Sequence, residues 1–186
     1  MVEIKGSQLI NLVTSIKTAF GEDGYLRILE EMSPANREIF EQQALLASKW
    51  YPFDAYIEML KLDVALFHHG DGTELIPPAE ENIDKQLRGM YRVFVRLSSP
   101  SSIVGKVDDI NRAFFQGITG SSKLTGPNTF VSTFIGFEPR HAVFENIMIA
   151  FFRKALDISG AKNVHVVFTT PISQGAPVAE LTVDWD

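Results

Sequence analysis

The sequence predicts an α+β fold in which a helical N-terminal half precedes a C-terminal antiparallel sheet packed against a long helix. Residues 1–116 carry apolar side chains mostly at helical spacing, whereas residues 117–186 combine period-two runs with one long helical stripe. The predicted strands are neighbours along the chain, which favours antiparallel pairing. We therefore expect a single domain over residues 1–186, with a helical lobe (1–116) and a strand–helix–strand–strand core (117–186).

The longest helical stripe lies between Arg140 and Ser159. Its apolar residues recur mainly every three or four positions, which is typical of a helix packed on a core. Pro139 precedes this segment and Gly160 follows it, and both are common residues at helix boundaries. The stripe consists of Val143, Phe144, Ile147, Met148, Phe151, Phe152, Ala155, Leu156 and Ile158.

Strand character flanks this helix on both sides. Residues 129–137 are rich in β-branched and aromatic side chains, and residues 120–125 are a weaker strand candidate. Residues 163–168 place three apolar side chains on one face, and residues 178–185 alternate strictly with a period of two. The inward residues of this last segment are predicted to be Ala179, Leu181, Val183 and Trp185.

The N-terminal half is predicted to be a succession of helices separated by glycine and proline. Ser7 is the expected N-cap of the first helix, which ends at Gly21. Pro34 and the Pro77–Pro78 pair are expected at later helix starts. One further helix is predicted between Ser99 and Gly117.

Composition limits the functional classes. Hydrophobic residues make up 45% of the chain, which contains 14 Phe, and the net charge is −6. No basic cluster appears, which argues against nucleic-acid binding. The absence of cysteine excludes disulfides, thiol catalysis and thiolate metal sites. Without a signal-peptide pattern or an apolar run of about 20 residues, a cytoplasmic protein with no membrane span is expected.

Polar residues give weak candidates for chemistry. His68 and His69, with Asp71 and Glu74 nearby, form a candidate metal site, but adjacent helical residues point about 100° apart. A solvated helix end is the favoured interpretation. His141 and His165 are heme ligands in principle and surface or capping residues by preference. No catalytic constellation, metal site or cofactor is predicted, so a non-enzymatic protein is favoured.

Several short segments together resemble an uncharacterised protein family abundant in myxobacteria, and the resemblance spans almost the whole chain. The C-terminal half is similar, more distantly, to 4-vinyl-reductase-like domains, heme-nitric-oxide-binding domains and TRAPP transport-particle subunits. The segments that carry the first resemblance are Ile4–Ser7, Trp50–Phe53, Tyr91–Arg96, Phe152–Leu156, Gly160–Val164, Gly175 and Leu181–Trp185.

These similarities imply an α+β fold with an apolar pocket between helices and sheet. They also imply small-molecule sensing or protein scaffolding, often as dimers. Two family features are missing. The chain has no cysteine to match the zinc ligands of the 4-vinyl-reductase-like sensors. Tyr91 is followed by Arg92 and Val93, so the Tyr-x-Ser-x-Arg motif of the heme-binding domains is absent there.

The density of phenylalanine between residues 114 and 152 is the remaining functional signal. Aromatic residues dominate ordinary cores, but they also line small-molecule pockets. The leading hypothesis is a regulatory or sensory domain that binds an apolar small molecule or lipid. The alternatives are a ligand-free scaffold acting as a homodimer and a heme-based sensor. The predicted pocket residues are Tyr91, Phe94, Phe114, Phe134, Phe144 and Phe151.

Overall fold

The computed structural model describes residues 1–41, 44–88 and 99–186. This part of the chain forms an α+β fold with two antiparallel sheets, as the sequence predicts. The helices are α1 (Gly6–Glu31), α2 (Pro34–Glu41), α3 (Phe53–Phe67), α4 (Ile76–Arg88), α5 (Pro100–Val104), α6 (Val107–Phe114) and α7 (Ala142–Ile158). The strands are β1 (Glu3–Lys5), β2 (Trp50–Pro52), β3 (Phe115–Gln116), β4 (Thr119–Gly126), β5 (Thr129–Ile135), β6 (His165–Thr170) and β7 (Val178–Asp184).

The larger sheet has the strand order β4-β5-β7-β6, and all neighbouring strands are antiparallel. Alternate residues of β5 and β7 are buried, so one face of the sheet is packed and the other is open. The predicted inward residues of the last strand are buried as expected: Ala179, Leu181, Val183 and Trp185. Helix α7 supplies much of the cover on the packed face.

Helix α7 starts two residues later than predicted. His141 is its N-cap, and the Nδ1 atom of His141 accepts a hydrogen bond of 3.1 Å from the backbone N–H of Val143. This bond satisfies one of the free N–H groups at the helix start. The capping interpretation of His141 is therefore confirmed.

The predicted N-cap role of Ser7 is wrong, because Ser7 lies within α1 and the N-cap is Lys5. The backbone of a distant loop bonds the first N–H groups instead. The N–H of Gly6 donates to the carbonyl of Lys49 at 2.8 Å, and that of Ser7 donates to Ala47 at 3.1 Å. The predicted break at Gly21 is present within α1, at a left-handed φ of 74° that favours glycine.

The smaller sheet, of strand order β2-β1-β3, was only partly predicted. The sequence predicts a short strand at Val2–Lys5, but it predicts no strand at Trp50–Pro52 or Phe115–Gln116. The predicted helix between Ser99 and Gly117 is divided into α5 and α6, and it ends where β3 pairs with β1. Two- and three-residue strands have too little length for a period-two pattern to appear.

An aromatic cluster joins the helical half to the larger sheet. Phe53, the first residue of α3, is fully buried. The Phe53 ring centroid lies 5.0 Å from that of Phe144 and 5.9 Å from that of Phe115, both nearly perpendicular to it. Phe137, which follows β5, lies 6.2 Å from Phe53 and 5.1 Å from Phe144. Edge-to-face pairs of this kind add to the stability gained from burial alone.

No helix in the described ranges is both long enough and apolar enough to cross a bilayer.

Replacing Phe53 by Ala is expected to lower the free energy of unfolding by about 3–5 kcal/mol, because it leaves a cavity beneath three other rings. Leu26→Ala is the control, since the Leu26 side chain is 46% exposed on α1. Chemical denaturation measures both variants. Equal losses for the two would show that Phe53 does not hold the halves together.

Candidate functional site

The packed interior contains an apolar cavity of about 90 Å³ between the N-terminal helices, α6, α7 and β5. We call it the phenylalanine chamber, because seven of the described residues that line it are phenylalanines. Four polar residues are also among the described lining residues, namely Gln8, Tyr56, Gln86 and Asn111. The phenylalanines are Phe114, Phe115, Phe134, Phe137, Phe144, Phe151 and Phe152.

The structure brings four of the predicted pocket residues together. Phe114, Phe134, Phe144 and Phe151 all line the phenylalanine chamber, and Phe151 is the least buried of them. Tyr91 and Phe94, the other two, lie outside the described residues. That any of these residues contacts a ligand stays a prediction.

Sequence reasoning missed three phenylalanines of the chamber. Phe152 is adjacent to Phe151 on the stripe of α7, and Phe137 follows β5, which ends at Ile135, before the end of the predicted strand. Phe115 begins β3, where the sequence predicts a helix. All three lie in the phenylalanine-rich segment, which was the available signal.

Two polar side chains of the chamber are held deep in the interior. The Nδ2 atom of Asn111 donates a 2.7 Å hydrogen bond to the carbonyl of Ile118. The Tyr56 side chain is only 6% exposed, on α3. Burial raises the pKa of the Tyr56 hydroxyl, which therefore stays protonated at neutral pH.

A second cavity of about 90 Å³ adjoins the first and lies among α1, α3 and α4. We call it the Asp63 chamber. The two chambers share the wall residues Gln8, Tyr56, Ile83, Gln86 and Ile147. At this shared wall, the Nε2 atom of Gln8 donates a 3.1 Å hydrogen bond to Oε1 of Gln86, which ties α1 to α4.

The Asp63 chamber contains a buried carboxylate that the sequence analysis did not select. Asp63 is only 4% exposed, and its Oδ1 atom has no hydrogen bond to any described residue. The His68 imidazole lies nearby, with Nε2 at 3.5 Å from Oδ1, an ion-pair distance rather than a hydrogen bond. A signal was present in the sequence, since Asp63 follows Tyr56 by seven residues and Leu60 by three on the apolar face of α3.

Burial raises the pKa of Asp63 to about 6, and the attraction of His68 partly opposes this rise. His68 also contacts a second carboxylate, with Nδ1 at 3.3 Å from Oε2 of Glu74. The predicted solvated helix end is therefore correct for His69, whose side chain is 89% exposed, but wrong for His68 at 13%. The His68 side chain points toward the interior, where its Nε2 atom lies near Asp63 on the buried face of α3.

The metal-site alternative at this turn has no support among the described residues. Asp71 accepts hydrogen bonds from the N–H and hydroxyl of Thr73 and so stabilises the local turn. No group of three or more His, Cys, Asp or Glu side chains within residues 1–41, 44–88 and 99–186 is placed to hold a metal ion. His165 is exposed on β6, as expected for the outer face of the sheet.

The free energy of unfolding of the Asp63→Asn variant is expected to increase relative to that of the unsubstituted protein as pH rises from about 4 to about 7. Folded Asp63 keeps its proton up to a higher pH than unfolded Asp63, so the unsubstituted protein loses stability between the unfolded and the folded pKa. The relative gain should be about 3 kcal/mol at most. Urea denaturation at several pH values measures it.

Asp23→Asn is the control for this series, because Asp23 is exposed on α1. A stability difference between Asp63→Asn and the unsubstituted protein that does not change with pH would contradict the raised pKa.

Comparison with solved structures identifies the fold. The Fe(II) unliganded H-NOX protein from K. algicida superposes with a TM-score of 0.74 at 9% sequence identity, covering 98% of this chain and 96% of that one. An H-NOX protein from S. oneidensis in the Fe(II)NO ligation state gives 0.72 at 13% identity, with 98% and 99% covered. A point mutant of the T. tengcongensis H-NOX protein gives 0.68 at 8% identity, with 98% and 97% covered.

No protein-family model and no curated protein matches the chain. The resemblances to the myxobacterial family, the 4-vinyl-reductase-like domains and the TRAPP subunits therefore stay predictions. At these low identities the structural matches establish the fold but not the ligand. Of the resemblances that the sequence suggested, one is confirmed in three dimensions, and the chain has the fold of the heme-nitric-oxide-binding (H-NOX) proteins.

Proposed function

We propose that this chain is a non-enzymatic sensory domain that binds a small apolar molecule in the phenylalanine chamber. The chamber itself carries the proposal, because it is an interior cavity whose wall is mostly aromatic and aliphatic. Concave apolar sites with a few polar groups are the usual form of a small-molecule site. The Tyr56 hydroxyl, which keeps its proton at neutral pH, is one such polar group in the wall.

The volume of the chamber favours a small molecule over a lipid. Each chamber measures about 90 Å³, less than the engineered cavity of about 150 Å³ that binds benzene or xenon. A ligand with a long acyl chain would require extensive repacking, which close-packed interiors resist. One ring with a short substituent, spread over both chambers, suits the available space better.

Heme, the prosthetic group that the fold suggests, does not fit the described residues of the phenylalanine chamber. All four histidines fall within the described ranges, and none lines this chamber. The chain has no cysteine, and no Lys or Arg appears among the described lining residues to pair with heme carboxylates. Among the described lining residues, Tyr56 and Met148 are the remaining axial-ligand types, and the cavity is far smaller than a porphyrin.

Adding hemin to the purified protein is expected to give no Soret band of a stoichiometric, protein-coordinated heme. The reason is the missing histidine and cysteine ligands in the phenylalanine chamber. Absorbance titration measures this, with myoglobin prepared without heme as the positive control. A sharp one-to-one band would instead favour the heme-based alternative.

Filling the phenylalanine chamber is expected to weaken the binding of small apolar probes. Ile110 lines this chamber but not the Asp63 chamber, so Ile110→Phe occupies the space selectively. Binding of 2-phenylethanol, measured by NMR chemical-shift titration, should weaken by about tenfold or more, which corresponds to ~1.4 kcal/mol. Overpacking should lower stability by about 1–3 kcal/mol.

Leu26→Phe is the control, because it adds a ring at an exposed position on α1. Unchanged 2-phenylethanol affinity in a folded Ile110→Phe variant would contradict the assignment of the chamber as the binding site.

A homodimeric scaffold is the second candidate, and the open face of the larger sheet favours it. Ile135 and Val178 are register partners on β5 and β7, and they are 52% and 39% exposed. Val167 on β6 is 59% exposed. Exposed apolar side chains on a sheet are candidates for subunit contact. Native mass spectrometry would distinguish the candidates, since a dimer without any small-molecule adduct supports the scaffold.

A further inference from the structure

We propose that the Asp63 chamber binds a protonated amine, so that the ligand of this domain is a small aromatic or apolar amine. Its ammonium group would lie against the Asp63 carboxylate and its apolar part in the phenylalanine chamber. The apolar half of this inference rests on the proposed function, whereas the amine half rests on the buried carboxylate.

The burial of the Asp63 carboxylate is not compensated by a hydrogen bond to its Oδ1 atom from any described residue. A buried carboxylate is stable only when hydrogen bonds or an opposite charge compensate for its lost hydration. Oδ1 of Asp63 is buried without a hydrogen bond to any described residue, and Asp63 lines the chamber named after it. The side chain therefore offers an unsatisfied acceptor to whatever occupies that space.

His68 does not fully compensate for the charge of the Asp63 carboxylate. The His68 ring lies between Asp63 and Glu74, at 3.5 Å and 3.3 Å, so one imidazole faces two carboxylates. His69 lies 4.0 Å from Glu74, at an exposed position. No Lys or Arg appears among the described residues that line the chamber. A positive charge is the missing component.

The other residues that line the Asp63 chamber also favour an ammonium group. The rings of Phe20 and Tyr56 line the Asp63 chamber, and aromatic faces attract ammonium groups. Asn11 and Asn82 also line it, and each carries a side-chain carbonyl of the kind that accepts hydrogen bonds from an ammonium. An anion would instead be repelled by the buried carboxylate and by the negative faces of the rings.

A surface groove next to the Asp63 chamber offers a route of entry for a ligand. A groove of about 580 Å³ lies on the surface between α1 and α4. The groove shares six lining residues with the Asp63 chamber, namely Asn11, Ser15, Ala19, Pro78, Asn82 and Gln86. Asn11 and Asn82 thus line both the groove and the Asp63 chamber, and the hydrogen-bonded Gln8 and Gln86 lie at the wall shared with the phenylalanine chamber.

The test compares three probes that share a phenethyl-type skeleton and differ in charge: phenethylamine, the neutral 2-phenylethanol and the anionic phenylacetate. Isothermal titration calorimetry with the full chain at about pH 7.5 keeps Asp63 ionised and the amine protonated. We expect phenethylamine to bind about tenfold or more tightly than 2-phenylethanol, and phenylacetate to bind more weakly than either.

The Asp63→Asn variant should remove the preference for the amine, so that phenethylamine and 2-phenylethanol bind within about twofold of each other. Asp23→Asn, on the exposed face of α1, is the matched control and should keep the preference. Should Asp63→Asn fail to fold, the amine-to-alcohol ratio in the unsubstituted protein and in Asp63→Ser still decides the matter.

Two results would overturn the inference, and they differ in what they leave standing. If 2-phenylethanol binds and phenethylamine binds no more tightly, the amine assignment fails and the proposed apolar site survives. If the preference for the amine persists in Asp63→Asn, the charge acts from elsewhere and the Asp63 chamber is not the site. If no probe binds, the proposed function fails together with the inference.

Discussion

The packing of Phe53 is the contact on which the rest of the structure depends. It is the first residue of α3, and its ring is enclosed by Phe115, Phe137 and Phe144, which belong to β3, the segment after β5, and α7. One side chain thus joins elements from both halves of the chain. Tyr56, one turn further along α3, continues the aromatic packing to the wall that both chambers share.

Much of this arrangement could be predicted from the sequence, and the exceptions have physical reasons. The stripe of α7 and the alternation of β7 are long enough for their periods to be unmistakable. The caps of α1 could not be predicted, because the carbonyls of Ala47 and Lys49 reach it through tertiary structure. The phenylalanines of the chamber were recognisable as a group. The inward turn of His68 was not, since it depends on Asp63 occupying the buried face of α3.

The comparison with H-NOX proteins separates fold from chemistry. The chain keeps the architecture over 98% of its length at 8–13% identity. The interior of a fold can be relined without loss of the fold, provided that volume and patterning are kept. Here the described interior contains two small chambers of different character, one aromatic between helices and sheet and one with a buried carboxylate among the helices. The chemistry of the site therefore has to be argued from those walls and not from the architecture.

The backbone capping of α1 has a consequence for the tolerance of the chain to substitution. Gly6 packs so closely on the loop before β2 that a Cβ atom there would collide with the carbonyl of Leu46 and lie 2.7 Å from the ring of Tyr51. A methyl group at position 6 would therefore push away the strand that pairs with β1, through Lys5 opposite Trp50. A larger side chain at Gly6 would therefore disturb both the beginning of α1 and the pairing of β2 with β1 in the small sheet.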